Sequence, residues 1–125
     1  MTCPTHLRYS TDHEWIDLDS EPARVGITAV ATEALGELVY IDLPAVGATV
    51  TAGEQCGELE STKSVSDLVS PVSGTVLSIN EAAVSEPALI NNDPYGDGWL
   101  FTVEVSEAGP LLSAADYEAM TGVQT

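Results

Sequence analysis

The chain has 125 residues, enough to bury one core but not two, so one domain spanning residues 1–125 is expected. Twenty acidic residues against three basic ones give a formal charge of −17, which repels phosphate backbones and excludes nucleic acid as a partner. Cys3 and Cys56 form no C-x-x-C motif, residues 1–10 hold no signal-peptide core, and no apolar run reaches membrane-spanning length; these point to a soluble intracellular protein or the mature form of an organelle protein.

In chain order, Tyr9 to His13 forms a polar turn that leads into a predicted edge strand, Trp15 to Asp19. Ser20-Glu21-Pro22 is a turn signal, and Ala23 to Ile27 returns as a second strand. Thr28 can cap a short helix from Ala29 to Leu35, with Gly36 at the expected C-terminal position. Leu38 to Leu43 is a continuous apolar run closed by Pro44 and Gly47, which places it in the core. The chain then breaks into short segments between turns, the pattern of a small all-β sandwich or barrel. Within it, Glu58 to Glu60 and Val65 to Leu68 read as two strands joined by a tight connection, Ser61 to Ser64; Gly53 and Gly74 read as flanking turns. Pro87 to Gly98 reads as a long loop, and Trp99 to Val105 as a strand with Trp99, Phe101, Val103 and Val105 on one face. Ser113 can cap a final helix from Ala114 to Met120, with Asp116 in its first turn and Gly122 beyond its end.

Most local signatures of chemistry are missing. His6 and His13 are too few for a histidine-rich metal site, and Cys3 with His6 offers only two ligands. Asn91 to Gly96 resembles the start of a calcium loop, but its twelfth position is Thr102 where a bidentate glutamate is needed. No P-loop, G-x-G-x-x-G or G-x-S-x-G is present. The pairs Asp17 with Asp19 and Glu58 with Glu60 fit a solvated strand face better than acid–base work, and His13-Glu14 fits local hydrogen bonding at a strand start. The acidic balance itself fits either a solvated face or steering toward basic protein surfaces.

What remains is Lys63, the only lysine, at the tip of the predicted hairpin. By composition it is a solvated surface residue. Its isolation and its turn setting also suit covalent attachment, because a flexible four-carbon stem lets an attached group swing between sites at high effective concentration.

Glu60-Ser61-Thr62-Lys63-Ser64, then Val65-Ser66-Asp67-Leu68 and Ser70-Pro71-Val72-Ser73-Gly74, resembles the lipoyl-attachment motif of the glycine cleavage system H protein family. Tyr9-Ser10 with His13-Glu14-Trp15, Gly26-Ile27-Thr28, Leu35-Gly36-Glu37, Leu43-Pro44 with Val46-Gly47, Asp93-Pro94-Tyr95 with Asn91 and Gly98-Trp99, and Leu111-Leu112-Ser113 with Tyr117 are similar to that family in the same order. Thr62 and Ser64 depart from it, since valine or another small apolar residue and alanine are more usual there. Biotin carriers differ in placing methionine on both sides of the lysine.

The resemblance implies a mostly β barrel-sandwich hybrid, like a lipoyl domain, with short flanking helices including one at the C-terminus. It implies a carrier and not an enzyme, with Lys63 bearing lipoate as an amide. The arm would collect the aminomethyl group of glycine from the pyridoxal-phosphate-dependent glycine decarboxylase (P protein) and deliver it to the tetrahydrofolate-dependent aminomethyltransferase (T protein). Dihydrolipoamide dehydrogenase (L protein) would reoxidise it, and a lipoate ligase or a lipoyl or octanoyl transferase would attach it. The difficult chemistry then belongs to cofactors held elsewhere. Because the loaded arm is cationic, Glu14 and Asp67 are the candidate residues against which it docks. The bacterial cytoplasm is the expected location, with a mature mitochondrial form as the alternative. The rival functions are a lipoyl domain of a 2-oxo acid dehydrogenase, against which His13-Glu14-Trp15 and Asp93-Pro94-Tyr95 count, and a lipoate-relay or regulatory homologue.

Overall fold

A computed structural model of the chain describes residues 4–20, 22–108 and 111–121. The strands are β1 (Arg8–Tyr9), β2 (Glu14–Asp17), β3 (Ala23–Ile27), β4 (Leu38–Asp42), β5 (Thr49–Val50), β6 (Gln55–Ser61), β7 (Val65–Val69), β8 (Val72–Ile79) and β9 (Phe101–Ala108). The helices are α1 (Ala29–Leu35), α2 (Glu81–Ser85), α3 (Ala88–Asn92) and α4 (Ala114–Thr121). One sheet runs β1-β2-β3-β9-β8-β5 and the other β4-β6-β7, and all the strand pairs are antiparallel. The expectation of a mostly β, lipoyl-domain-like fold with short flanking helices, one of them C-terminal, therefore holds, and the two sheets form an open sandwich.

The sandwich closes because the strands present apolar side chains to a shared interior. Val25, Ile27, Val72, Val76, Phe101 and Val103 from the larger sheet meet Leu38, Ile41, Leu59 and Leu68 from the smaller one, all nearly inaccessible to water. Each such side chain contributes about 1.5–3 kcal/mol by leaving water. A second cluster of Leu7, Tyr9, Trp15, Ala114 and Tyr117 ties α4 to the N-terminal strands. There the Tyr9 and Tyr117 rings stack at 4.8 Å, and the Trp15 indole N–H donates to the Pro94 carbonyl at 2.9 Å. Trp15 lies flat over its strand partner Gly26, where a Cβ would sit 2.5 Å from the ring, so only glycine fits.

Several elements differ from the sequence expectation. The strand expected at Trp15 to Asp19 is β2, which ends at Asp17 and is covered by β1, so it is not an edge strand. The apolar run from Leu38 forms the outer strand of the smaller sheet; only Leu38 and Ile41 are buried, while Val39 and Tyr40 face water. A register shift between Leu38 and Tyr40 explains this loss of simple alternation. The expected loop from Pro87 contains α3, and α2 follows Asn80, where no helix is expected from the sequence; each helix is five residues long and neither has a side-chain cap, so the sequence carried little signal for them. Gly53 does occupy a turn with φ +82°, but Gly74 lies within β8, where a Cβ would collide with the Glu104 carbonyl oxygen. Trp99 precedes β9 and packs with the second cluster, whereas Phe101 and Val103 enter the main core. The caps at Thr28 and Ser113 form as expected, accepting from the Ala31 and Asp116 amides; Gly122 lies outside the described residues.

Candidate functional site

β6 and β7 pair in antiparallel register, Glu60 opposite Val65, and the turn between them is organised by Ser61. The Ser61 amide donates to the Ser64 carbonyl at 2.8 Å, and its hydroxyl accepts from the Ser64 amide at 3.1 Å and the Lys63 amide at 3.3 Å. Ser61 is buried while Thr62, Lys63 and Ser64 are exposed, so one buried hydroxyl holds a solvent-facing tip. The Thr62 amide donates to the Glu37 carbonyl at 3.1 Å, which fastens the tip to the junction between α1 and β4. Gly36 forms that junction with φ +82° and ψ −156°, a conformation that is essentially reserved for glycine. A methyl group on Gly36 would fall 2.9 Å from Lys63 Cε, so the lysine stem lies across the glycine while the residue stays exposed.

Asp67 and Glu14 lie toward the opposite end of the hairpin from Lys63. Asp67 is exposed on β7 and accepts from the Gln55 side-chain amide at 3.0 Å. It is directly opposite Glu58, which in turn is opposite Asp42, so three exposed carboxylates cross the smaller sheet in one row. Like charges opposite one another are destabilising, and solvent exposure reduces that cost. Glu14 is buried and accepts from the Ser10 hydroxyl at 2.6 Å. Burial pushes its carboxyl up to about 8, with Asp12 adding to the rise and hydrogen bonds from Ser10 and the Val69 backbone opposing it. Those bonds bring Glu14 to the end of β7. Cys56 lies near it, and burial together with the Glu14 charge pushes its thiol up to about 12, which disfavours the thiolate. A small cleft of about 90 Å³, lined by Ser10, Asp12, Gly53 and Ser70 among others, opens beside this group.

His13 has φ 70°, unusual for a residue with a side chain. Its Nδ1 lies 2.7 Å from Tyr117 Oη, which is 2.8 Å from Thr28 Oγ1, so His13 joins the β2 start to α4 and the α1 cap. The local hydrogen bonding expected of His13-Glu14 is present, but the link to Tyr117, 104 residues away, had no signal in the sequence. The Asp19 backbone amide donates to the Asp17 carboxylate at 3.1 Å, and Glu58 and Glu60 are both exposed. The calcium-loop residues are engaged within the protein, Asn91 with Gly36 and Leu38, Asp93 with the Asp97 amide. Among the described residues no group of three His, Cys, Asp or Glu could hold a metal; His6 is exposed, and Cys3 lies outside them. A groove of about 480 Å³ between Leu18, Pro22, Leu77 and Val105 is lined by none of Lys63, Glu14 or Asp67. An arm attached at an open tip requires no enclosed cavity at its root.

A small β sandwich that displays one amine on a braced hairpin has the design of a swinging-arm carrier protein. Residues 7–123 match the family model described as glycine cleavage H-protein. Glycine cleavage system H proteins of Corynebacterium aurimucosum and Thermobifida fusca are 56% and 54% identical to this chain, the first covering 96% of each chain and the second 97%. The crystal structure of a glycine cleavage system H protein from Mycobacterium marinum superposes with a TM-score of 0.94 at 52% identity, covering 97% of this chain and all of that one. The chain belongs to the glycine cleavage H-protein family. No helix among the described residues is long and apolar enough to cross a membrane.

Proposed function

We propose that residues 1–125 form one lipoyl carrier domain of a glycine cleavage system, with lipoate joined to Lys63 as an amide. The observation that carries this reading is the chain's only lysine, exposed on a braced turn in a member of this family. The residues fit the group. An amide needs an accessible amine, and a mobile arm needs an open tip on a firm base, which Ser61 and the Glu37 carbonyl supply. When attached, lipoate supplies a disulfide that takes up the aminomethyl group of glycine and a dithiol after delivery.

Asp67 and Glu14 are the residues to which we assign the cationic cargo. An extended lysyl-lipoyl arm of about twelve bonds, advancing roughly 1.2 Å per bond, spans about 14 Å. Asp67 lies four strand residues from Lys63, about 13 Å, and Val69 beside Glu14 lies six away, about 20 Å along the strand. Asp67 is therefore within the arm's span, and Glu14 stands behind its far end. Glu14 therefore acts on a cation held at Asp67 through space and not by direct contact.

The acidic row Asp42, Glu58 and Asp67 suits basic docking surfaces on the P, T and L proteins and on the lipoate ligase or transferase. We place the protein in the bacterial cytoplasm, as a cofactor-carrying substrate and not an enzyme. The experiment is reconstitution of glycine cleavage with the three partner enzymes and the lipoylated chain. Glycine-dependent CO2 release is expected with the wild type and not with Lys63→Arg, whose guanidinium cannot be acylated by the ligase. Support of a 2-oxo acid dehydrogenase instead would show a carrier of acyl groups, and lipoylation with support of neither would favour a relay or regulatory role.

A further inference from the structure

We propose that Asn91 is a positioning residue for Lys63, acting through the backbone seat beneath it. Its role rests on the reading of Lys63 as the acylated residue. Asn91 is half-buried in α3, whose next residue inward, Ile90, is fully buried in the core, so the helix is a fixed support. The Asn91 side-chain amide spans the peptide groups on either side of Glu37: Nδ2 donates to the Gly36 carbonyl at 2.8 Å, and Oδ1 accepts from the Leu38 amide at 2.9 Å. These are the two hydrogen bonds a neighbouring strand would make, supplied by one side chain at the point where α1 ends and β4 begins.

The segment held in this way carries the lysine. Glu37, between the two clamped residues, offers its carbonyl to the Thr62 amide at 3.1 Å, and Gly36 lies directly under the Lys63 stem. Asn91 is thus one step removed from the tip along both routes. The β6 side is already held by the pairing of Leu38 with Ser61 and by the Ser61 turn. Without the amide clamp, the Gly36 to Leu38 segment would lose its hold on the α3 side and keep the helix-closing bond from the Gly36 amide to Thr32, the bond to Thr62 and the strand pairing of Leu38 with Ser61. A glycine in so open a region of backbone space would then sample other conformations, and the lysine would lose a defined seat. The same geometry explains why an asparagine serves here: both a donor and an acceptor are needed, aimed in opposite directions along the chain.

The test uses the full chain, as wild type, Asn91→Ala, the isosteric Asn91→Asp, and Asn92→Ala as an exposed control on the same helix. NMR of the unmodified proteins reads the seat directly. We expect a Lys63 Hε to Gly36 Hα contact and slow exchange of the Leu38 and Thr62 amides in wild type and Asn92→Ala. Asn91→Ala should lose the contact and show at least tenfold faster exchange of both amides. Asn91→Asp keeps an acceptor for Leu38 but loses the donor to Gly36, so it should stay folded and lose the Gly36 contact. Acylation kinetics with a lipoate ligase and excess lipoate should then show about tenfold lower kcat for both Asn91 variants with little change in KM. Retention of the contact and protection in either variant, or wild-type kcat in both, would overturn the inference. Absence of acylation of the wild type would instead overturn the functional reading, and is told apart because the NMR arm needs no ligase.

Discussion

At the scale of single residues, the most testable feature is the buried carboxyl of Glu14. Its folded value of about 8 exceeds the ordinary 4.5, so the folded state binds the proton more tightly than the unfolded chain does. The stabilisation from this proton is fully present below about pH 4.5, is lost as pH rises toward 8, and changes no further above it. The difference corresponds to an upper limit of about 5 kcal/mol. Glu14→Gln removes this dependence, so the variant should gain stability relative to wild type as pH rises from 5 to 9, measured by urea unfolding at each pH. A constant difference across that range would contradict the burial account. Gly36 is the second such residue. Gly36→Ala forces a side chain into a conformation suited to glycine and against Lys63 Cε, and should cost about 1–3 kcal/mol while slowing acylation of Lys63.

At the scale of elements, α4 is held through the Tyr117 hydroxyl, placed between His13 and Thr28, and through the Tyr9 stack. Tyr117→Phe keeps the stack and removes the hydroxyl, so it should cost about 1–3 kcal/mol, with amide exchange rising first in α4 and at the start of α1. Loss of protection spread evenly over both sheets would instead mean that α4 is not a separately held element. The sequence made the elements legible where local chemistry determines them: α1 between Thr28 and Gly36, the Ser113 cap, and the β6–β7 hairpin around the only lysine. It was less informative where tertiary contacts decide. α2 and α3 are too short to show a period, β4 loses its alternation at an irregular register, and β1 is two residues whose partners come from β2 and Leu112. The site divides in the same way. Lys63 stands out by its rarity, while the seat on Gly36 and the position of Glu14 against Val69 depend on segments far apart in the chain.

At the scale of the whole molecule, the charge of −17 is expected to steer the carrier toward basic surfaces on the enzymes it serves. An acidic row beside the hairpin accelerates encounter with basic surfaces, and salt screens that effect over about 8–10 Å at physiological strength. Raising salt from about 0.05 to 0.5 M should therefore raise the apparent KM of the partner enzymes for the lipoylated chain several-fold with little change in kcat; Asp42→Asn with Glu58→Gln should reproduce part of that rise at low salt. A KM indifferent to salt would assign the acidic row to solvation alone. The central claim is that Lys63 is the site of a lipoyl arm. It is tested most directly by the intact mass and peptide map of the chain after incubation with lipoate ligase, ATP and lipoate. One lipoyl group per chain is expected, located on Lys63 and absent from Lys63→Arg; an unmodified chain, or a lipoyl group elsewhere, would rule out Lys63 as the site.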